Sequence, residues 1–142
     1  MTITQLSVFL GEDSGSLSKM SDTLAGAGIN VRALSVVADP THRIARIVVD
    51  DTDRARSILG EVGFMVNAAD VIVVRAPHKT GTLAVITRAL WDAEVPVEYM
   101  YGTSAPGARD IAVVIRTSEA QVCLTALDQA GLEAMGAADL AG

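Results

Sequence analysis

A single cysteine, Cys123, stands among 142 residues, so no internal disulfide can form and nothing calls for an oxidising compartment. Aromatic residues are nearly as scarce, with two Phe, two Tyr and one Trp. That rules against the stacking platforms that single-stranded nucleic acids need. Basic charge is thin: eleven Lys and Arg are scattered among seventeen acidic residues, for a net charge of −6. Such a surface suits neither a phosphate backbone nor an anionic membrane. Apolar runs such as Val71–Val74 fall far short of a membrane span. Met1–Leu10 has neither a basic n-region nor a long apolar stretch, so the expectation is a cytoplasmic protein without a signal peptide.

Recognisable chemistry is also missing. The two histidines, His42 and His78, have no Cys-x-x-Cys pair or third ligand at metal spacing. No serine lies in a Gly-x-Ser-x-Gly elbow, and Gly11-Glu12-Asp13-Ser14-Gly15 lacks the Lys-Ser/Thr of a phosphate loop. Asp50, Asp51 and Asp53 cluster, but acids at a helix start act first as caps. The reading is a chain with no catalytic residues, no metal and no cofactor.

What is there is aliphatic. Half of the residues are hydrophobic and 20 % are charged, the balance of a folded domain rather than a disordered chain. The chain also repeats itself. Gly15-Ser16-Leu17 returns as Gly81-Thr82-Leu83, 66 positions on, and Met20 and Leu24 return as Ile86 and Leu90 at the same shift. Each set forms an apolar stripe at helical spacing. Ile29 and Val31 match Val95 and Val97. Ala55, Ile58, Leu59 and Val62 match Cys123, Ala126, Leu127 and Ala130, now 68 positions on. Cys123 thus falls on the apolar side of a helix, as a buried and inert thiol. Gly63 and Gly131 follow as helix stops.

Each half therefore reads βαββαβ. The first has strand Leu6–Leu10, helix Ser16–Ala27, strand Ile29–Val37, a turn at Asp39-Pro40-Thr41, strand Ile44–Val49, a second helix capped by Asp50, Asp51 and Thr52, and strand Phe64–Ala68. The second has strand Val71–Arg75, helix Thr82–Ala93, strand Val95–Tyr101, a turn at Gly102–Gly107, strand Ile111–Arg116, helix Ser118–Ala130 and a weak last strand. The fold class is α+β: two ferredoxin-like domains, residues 1–70 and 71–142, each an antiparallel sheet with its helices on one face. The two are expected to lie side by side, making an eight-stranded sheet with a protected edge.

In both halves a polar loop ends in Gly and opens an apolar-striped helix: Glu12-Asp13-Ser14-Gly15-Ser16-Leu17 and His78-Lys79-Thr80-Gly81-Thr82-Leu83. Glycine permits close backbone approach, and helix-start amides suit a carboxylate. The plain alternative is a helix that simply starts after Gly.

These loops, the Gly28-Ile29-Asn30-Val31 strand start and the doubled βαββαβ order resemble the ACT domain family, and specifically proteins made of tandem ACT domains, over essentially the whole chain. The family's loop often reads Asp-x-Pro-Gly-x-Leu. Glu12 and Ser14 stand at its Asp and Pro in the first copy, His78 and Thr80 in the second. The resemblance implies a regulatory protein, not an enzyme, that binds an amino acid at the interface of two domains. Carried over by position, it nominates Asp13, Ser14, Gly15, Ser16 and Asn30 in the first half, and Lys79, Thr80, Gly81 and Thr82 in the second. Pro96 stands where Asn30 would have its counterpart, so two sites would be unequal. Tyr99 and Tyr101, on one strand face, are further ligand candidates. The implied partners are an amino acid and a second copy of the chain, the latter favoured by an open apolar sheet face. The alternative is a subunit docked on an amino-acid biosynthetic enzyme, like the small regulatory subunit of acetolactate synthase.

Overall fold

The computed structural model describes residues 1–38, 41–104 and 106–140. The first expected turn loses Asp39 and Pro40, and the Gly102–Gly107 turn loses Ala105, to the segments outside the described residues. The chain forms two compact units. One comprises Thr4–Ala69 with the segment from Ala138 onward, the other Asp70–Ala137 with Met1–Ile3.

The first unit contains β1 (Ile3–Phe9), α1 (Ser16–Gly26), β2 (Val31–Ala38), β3 (Arg43–Val49), α2 (Thr52–Glu61) and the start of β4 (Met65–Pro77). The second continues β4 and adds α3 (Thr82–Asp92), β5 (Tyr99–Thr103), β6 (Asp110–Arg116), α4 (Ala120–Gln129), β7 (Glu133–Ala134) and a 3-10 turn at Ala137–Leu140 that returns to the first unit. Strand orders are β2-β3-β1-β4 and β5-β6-β4-β7, the ferredoxin-like order in each unit. The register pairs Leu6 with Ile47 and Leu34 with Ile47 in the first, and Val73 with Val114 in the second. All these pairings are antiparallel.

The cores are as aliphatic as composition demands. Leu6, Val8, Met20, Leu24, Ile47 and Leu59 centre the first, and Ile72, Val74, Ile86, Ile115, Cys123 and Leu127 the second. Burying each such side chain contributes about 1.5–3 kcal/mol.

Four helices end in one way. The amides of Ile29, Phe64, Val95 and Leu132 donate back to the carbonyls of Leu24, Leu59, Leu90 and Leu127, at 2.9–3.0 Å. The residue before each, Gly28, Gly63, Glu94 or Gly131, has positive φ. This is the Schellman stop, with its apolar pair closing over the helix end. It explains why β2 starts at Val31 and not at the expected Ile29: Ile29 is spent ending α1. Val95 is spent ending α3 in the same way, and Pro96 has no N–H to give a ladder, so β5 begins only at Tyr99.

Two expectations need correction. The strands expected at Phe64–Ala68 and Val71–Arg75 are one 13-residue strand, β4, so the described residues hold seven strands and not eight. Asn67-Ala68-Ala69-Asp70 contains neither Gly nor Pro to break it. The sheet face away from the helices is also not open: Val48, Val71, Val73 and Val114 on that face are at most 4 % exposed. Among the described residues no helix is long and apolar enough to cross a membrane.

Candidate functional site

In the first unit β1 runs out at Gly11, whose φ of +67° turns the chain into the polar loop. Asp13 folds back on that loop. Its Oδ1 accepts the Gly15 N–H at 2.8 Å and its carbonyl accepts the Ser16 N–H at 3.2 Å. This Asx-type turn sets the entry into α1. Gly15 is the N-cap and brings no side-chain cap, so the first-turn amides of α1 face outward for an acceptor. At α2, by contrast, Asp51 Oδ1 caps the Arg54 N–H at 3.2 Å.

The loop borders a cavity of about 370 Å³, with Asp13, Gly15 and Ser16 on one side and Val62, Gly63 and Phe64 on the other. Lys19, one turn into α1, completes it. Its Nζ donates to the Val62 carbonyl at 3.2 Å and sits 5.6 Å from the centroid of the Phe64 ring. The sequence reading missed Lys19, Phe64 and Val62. The signal for Lys19 was a basic residue four positions after the loop Gly, on the loop's own side of the helix.

The matched loop of the second unit is built differently. Gly81 is the N-cap at φ +94°, in the left-handed region, whereas Gly15 sits at φ −78°. That twist turns Thr82 inward, where it is 6 % exposed and its hydroxyl donates to the Pro77 carbonyl. Leu83 is consequently 54 % exposed, although its repeat mate Leu17 packs on the first core. His78 fastens the loop to the β5–β6 side: its N–H donates to the Arg109 carbonyl at 2.9 Å and its Nδ1 to the Ala108 carbonyl at 3.1 Å. Lys79, Thr80 and Gly81 are exposed.

Of the nominated residues, Asp13, Gly15 and Ser16 meet at one cavity, and Ser14 lies exposed on the same loop. Asn30 does not join them. It lies beyond the far end of α1, about 16 Å of helix away. There its backbone exchanges bonds with Asp50, the Oδ1 of which accepts the Asn30 N–H at 3.0 Å. Asp50 and Asp51 thus have structural work at the α2 start. In the second unit Tyr101 lines a cavity of about 290 Å³ with Leu83, Met100, Ile111 and Val113. Tyr99 is half-buried opposite Arg116, whose guanidinium holds Glu98 at 3.1 Å and the Asp70 carbonyl at 2.7 Å. The two units thus offer unlike surroundings: a charged, glycine-rim cavity in one and an apolar cavity beside a buried hydroxyl in the other.

Among the described residues no three His, Cys, Asp or Glu come together as metal ligands. Cys123 is fully buried, and burial pushes its thiol from 9.0 up to about 11.

A comparison with curated proteins gives no match. Among solved structures, a protein from Bacteroides thetaiotaomicron is 33 % identical, covers 99 % of this chain and 96 % of its own, and superposes with a TM-score of 0.91. The regulatory subunit of aspartate kinase from Thermus thermophilus, ligand-free, is 21 % identical over 89 % of this chain and 91 % of its own, with a TM-score of 0.67. That from Thermus flavus is 20 % identical over 92 % and 94 %, with a TM-score of 0.60. The latter two share the fold. The family described as an ACT domain pair matches residues 1–140. With the ferredoxin-like strand order in both units and a Gly-ended loop opening α1 and α3, the chain belongs to the ACT domain family as an ACT domain pair.

Proposed function

We propose that this chain is a regulatory protein without catalytic activity that binds a free amino acid at the Gly-ended loops of its ACT domains. The observation that carries the reading is the 370 Å³ cavity at the first loop, where uncapped helix-start amides, the Lys19 ammonium and the Asp13 carboxylate converge. The chemistry suits a zwitterion. A ligand carboxylate takes the positive end of α1 and displaces the Lys19 bond to the Val62 carbonyl, while the ligand ammonium pairs with Asp13. Phe64 adds an apolar wall for the ligand's stem. Membership of the family supports the amino-acid class, and the proposal includes the family's shared placement, with one ligand held by loops from two domains.

Titration calorimetry of the full chain with each of the twenty amino acids tests this. One amino acid, or one chemical group of them, is expected to bind. Lys19→Ala should weaken that binding by about 1.5–3 kcal/mol, the worth of a hydrogen bond to a charged group. A shared site predicts that Gly81→Val also lowers the affinity of every bound ligand. Loss of only half of the bound ligand would show two independent sites. Heatless titrations throughout would overturn the reading.

The fold shared with regulatory subunits of aspartate kinase favours a second reading, in which the ligand-binding chain docks on an amino-acid biosynthetic enzyme. Stoichiometric capture of one such enzyme from the native cell extract supports it, and release of the bare chain alone opposes it. The chain's own association with a second copy is part of the leading reading.

A further inference from the structure

The duplication supplies an internal control for surface residues, because α3 and α4 repeat α1 and α2. Where α1 exposes Lys19, α3 exposes Val85, and where α1 has Ala25, α3 carries Trp91. Where α2 exposes Arg54 and Arg56, α4 has Val122, itself exposed, and the half-buried Leu124. The outer face of the second helix layer has thus lost charge at each place and gained apolar area. Leu83 is 54 % exposed, Val85 50 %, Trp91 76 % and Val122 43 %. A groove of about 670 Å³ runs between α3 and α4, floored by Ala84, Ala89, Ala93, Ala126 and Ala130. Ala84, Arg88 and Trp91 follow one helical stripe along it.

The charges that remain decide the occupant. Arg88 and Asp92 border the groove one helical turn apart, Nη1 to Oδ1 at 3.9 Å, both largely exposed. One cation beside one anion leaves the face neutral on a chain of net charge −6, so it asks for no partner of definite sign. A two-fold rotation, however, sets each Arg88 against the other copy's Asp92, and such self-complementarity is what an isologous dimer requires. The opposite, strand-built face is already buried at Val48, Val71, Val73 and Val114, which leaves the helix face for association. Two helices side by side, each about 16 Å long and 10–12 Å across, match the smaller stable interfaces of about 600 Å² per partner.

We infer that the α3–α4 face is a homodimer interface, with Trp91 of each copy seated in the alanine-floored groove of the other. The inference rests on the self-association in the reading above and is independent of the ligand. Trp91 is the chain's sole tryptophan, so its fluorescence reports this face alone. Sedimentation of the full chain over about 1–100 µM should show a monomer–dimer equilibrium, with Trp91 emission moving to shorter wavelength as dimer forms. Val85→Lys with Val122→Arg, which installs the first-half residues at exposed positions, should weaken the dimer at least about tenfold and leave Trp91 emission at the solvent-exposed wavelength. Ser57→Lys, on the outer face of α2, should change neither. Arg88→Asp and Asp92→Arg should each weaken self-association, and mixing the two variants should restore a dimer. Two results overturn the inference: a wild-type chain that stays monomeric, or a dimer that survives the double variant with Trp91 emission unchanged by association. Sedimentation reads association and calorimetry reads ligand, so either proposal can fail while the other stands.

Discussion

Lys19 and Val85 occupy the same place in the two copies of one helix, and the difference between them divides the work of the two halves. Lys19 leans over Phe64 toward the first loop and brings a cation to its cavity. Val85 faces solvent beside the α3–α4 groove. The repeat was readable from aligned apolar residues, but the roles of its non-matching residues were not, because periodicity reports only what is buried. Asp13, Gly15 and Ser16 were legible as a loop of backbone and short polar groups. Asn30 matched by position yet lies a helix length away, since the strand start that carries it leaves the opposite end of α1. Cys123 gives a prediction at this scale. Its thiol, raised by burial to about 11, should resist Ellman's reagent at pH 8 in the native protein and react at once on unfolding. Because the folded value lies above the unfolded one, stability should be unaffected by this group below about pH 9 and fall as pH rises through about 11. Fast native labelling at pH 8 would contradict this.

At the scale of elements, the helix ends organise the fold. Gly63 and Gly131 were recognisable in the sequence because glycine after an apolar stripe marks a left-handed stop. Glu94 was not, since a glutamate carries no such mark, yet it takes φ +53° in the same motif. Glu94→Gly should therefore stabilise the chain by about 1 kcal/mol, the cost of placing a side chain in that conformation, as read by urea unfolding. A destabilised variant would show that Glu94 contributes more than its backbone costs. The long strand β4 escaped the reading for a related reason. A domain boundary was expected to fall in a loop, but an extended segment without Gly or Pro can pass between units while remaining a strand. Thr82 shows the limit of periodicity in a different way: a left-handed Gly81 rotates the first turn so that a hydroxyl, and not Leu83, faces inward.

At the scale of the whole chain, gene doubling gives two domains of one fold with unequal surfaces. The fold class, the doubling and the family were all legible, because each depends on patterns repeated along some 140 residues. The ligand was not, because a few side chains around one cavity set it. The central claim is that this ACT domain pair recognises a free amino acid, and thermal unfolding of the intact chain with each of the twenty amino acids in turn tests it most directly. A ligand at one hundred times its dissociation constant adds about 2.7 kcal/mol to the folded state. For a chain of this length that raises Tm by about 5–10 °C. The account predicts such a rise for one amino acid or one chemically related set, reduced in Lys19→Ala. Unchanged Tm values for all twenty, at concentrations up to about 10 mM, would contradict it.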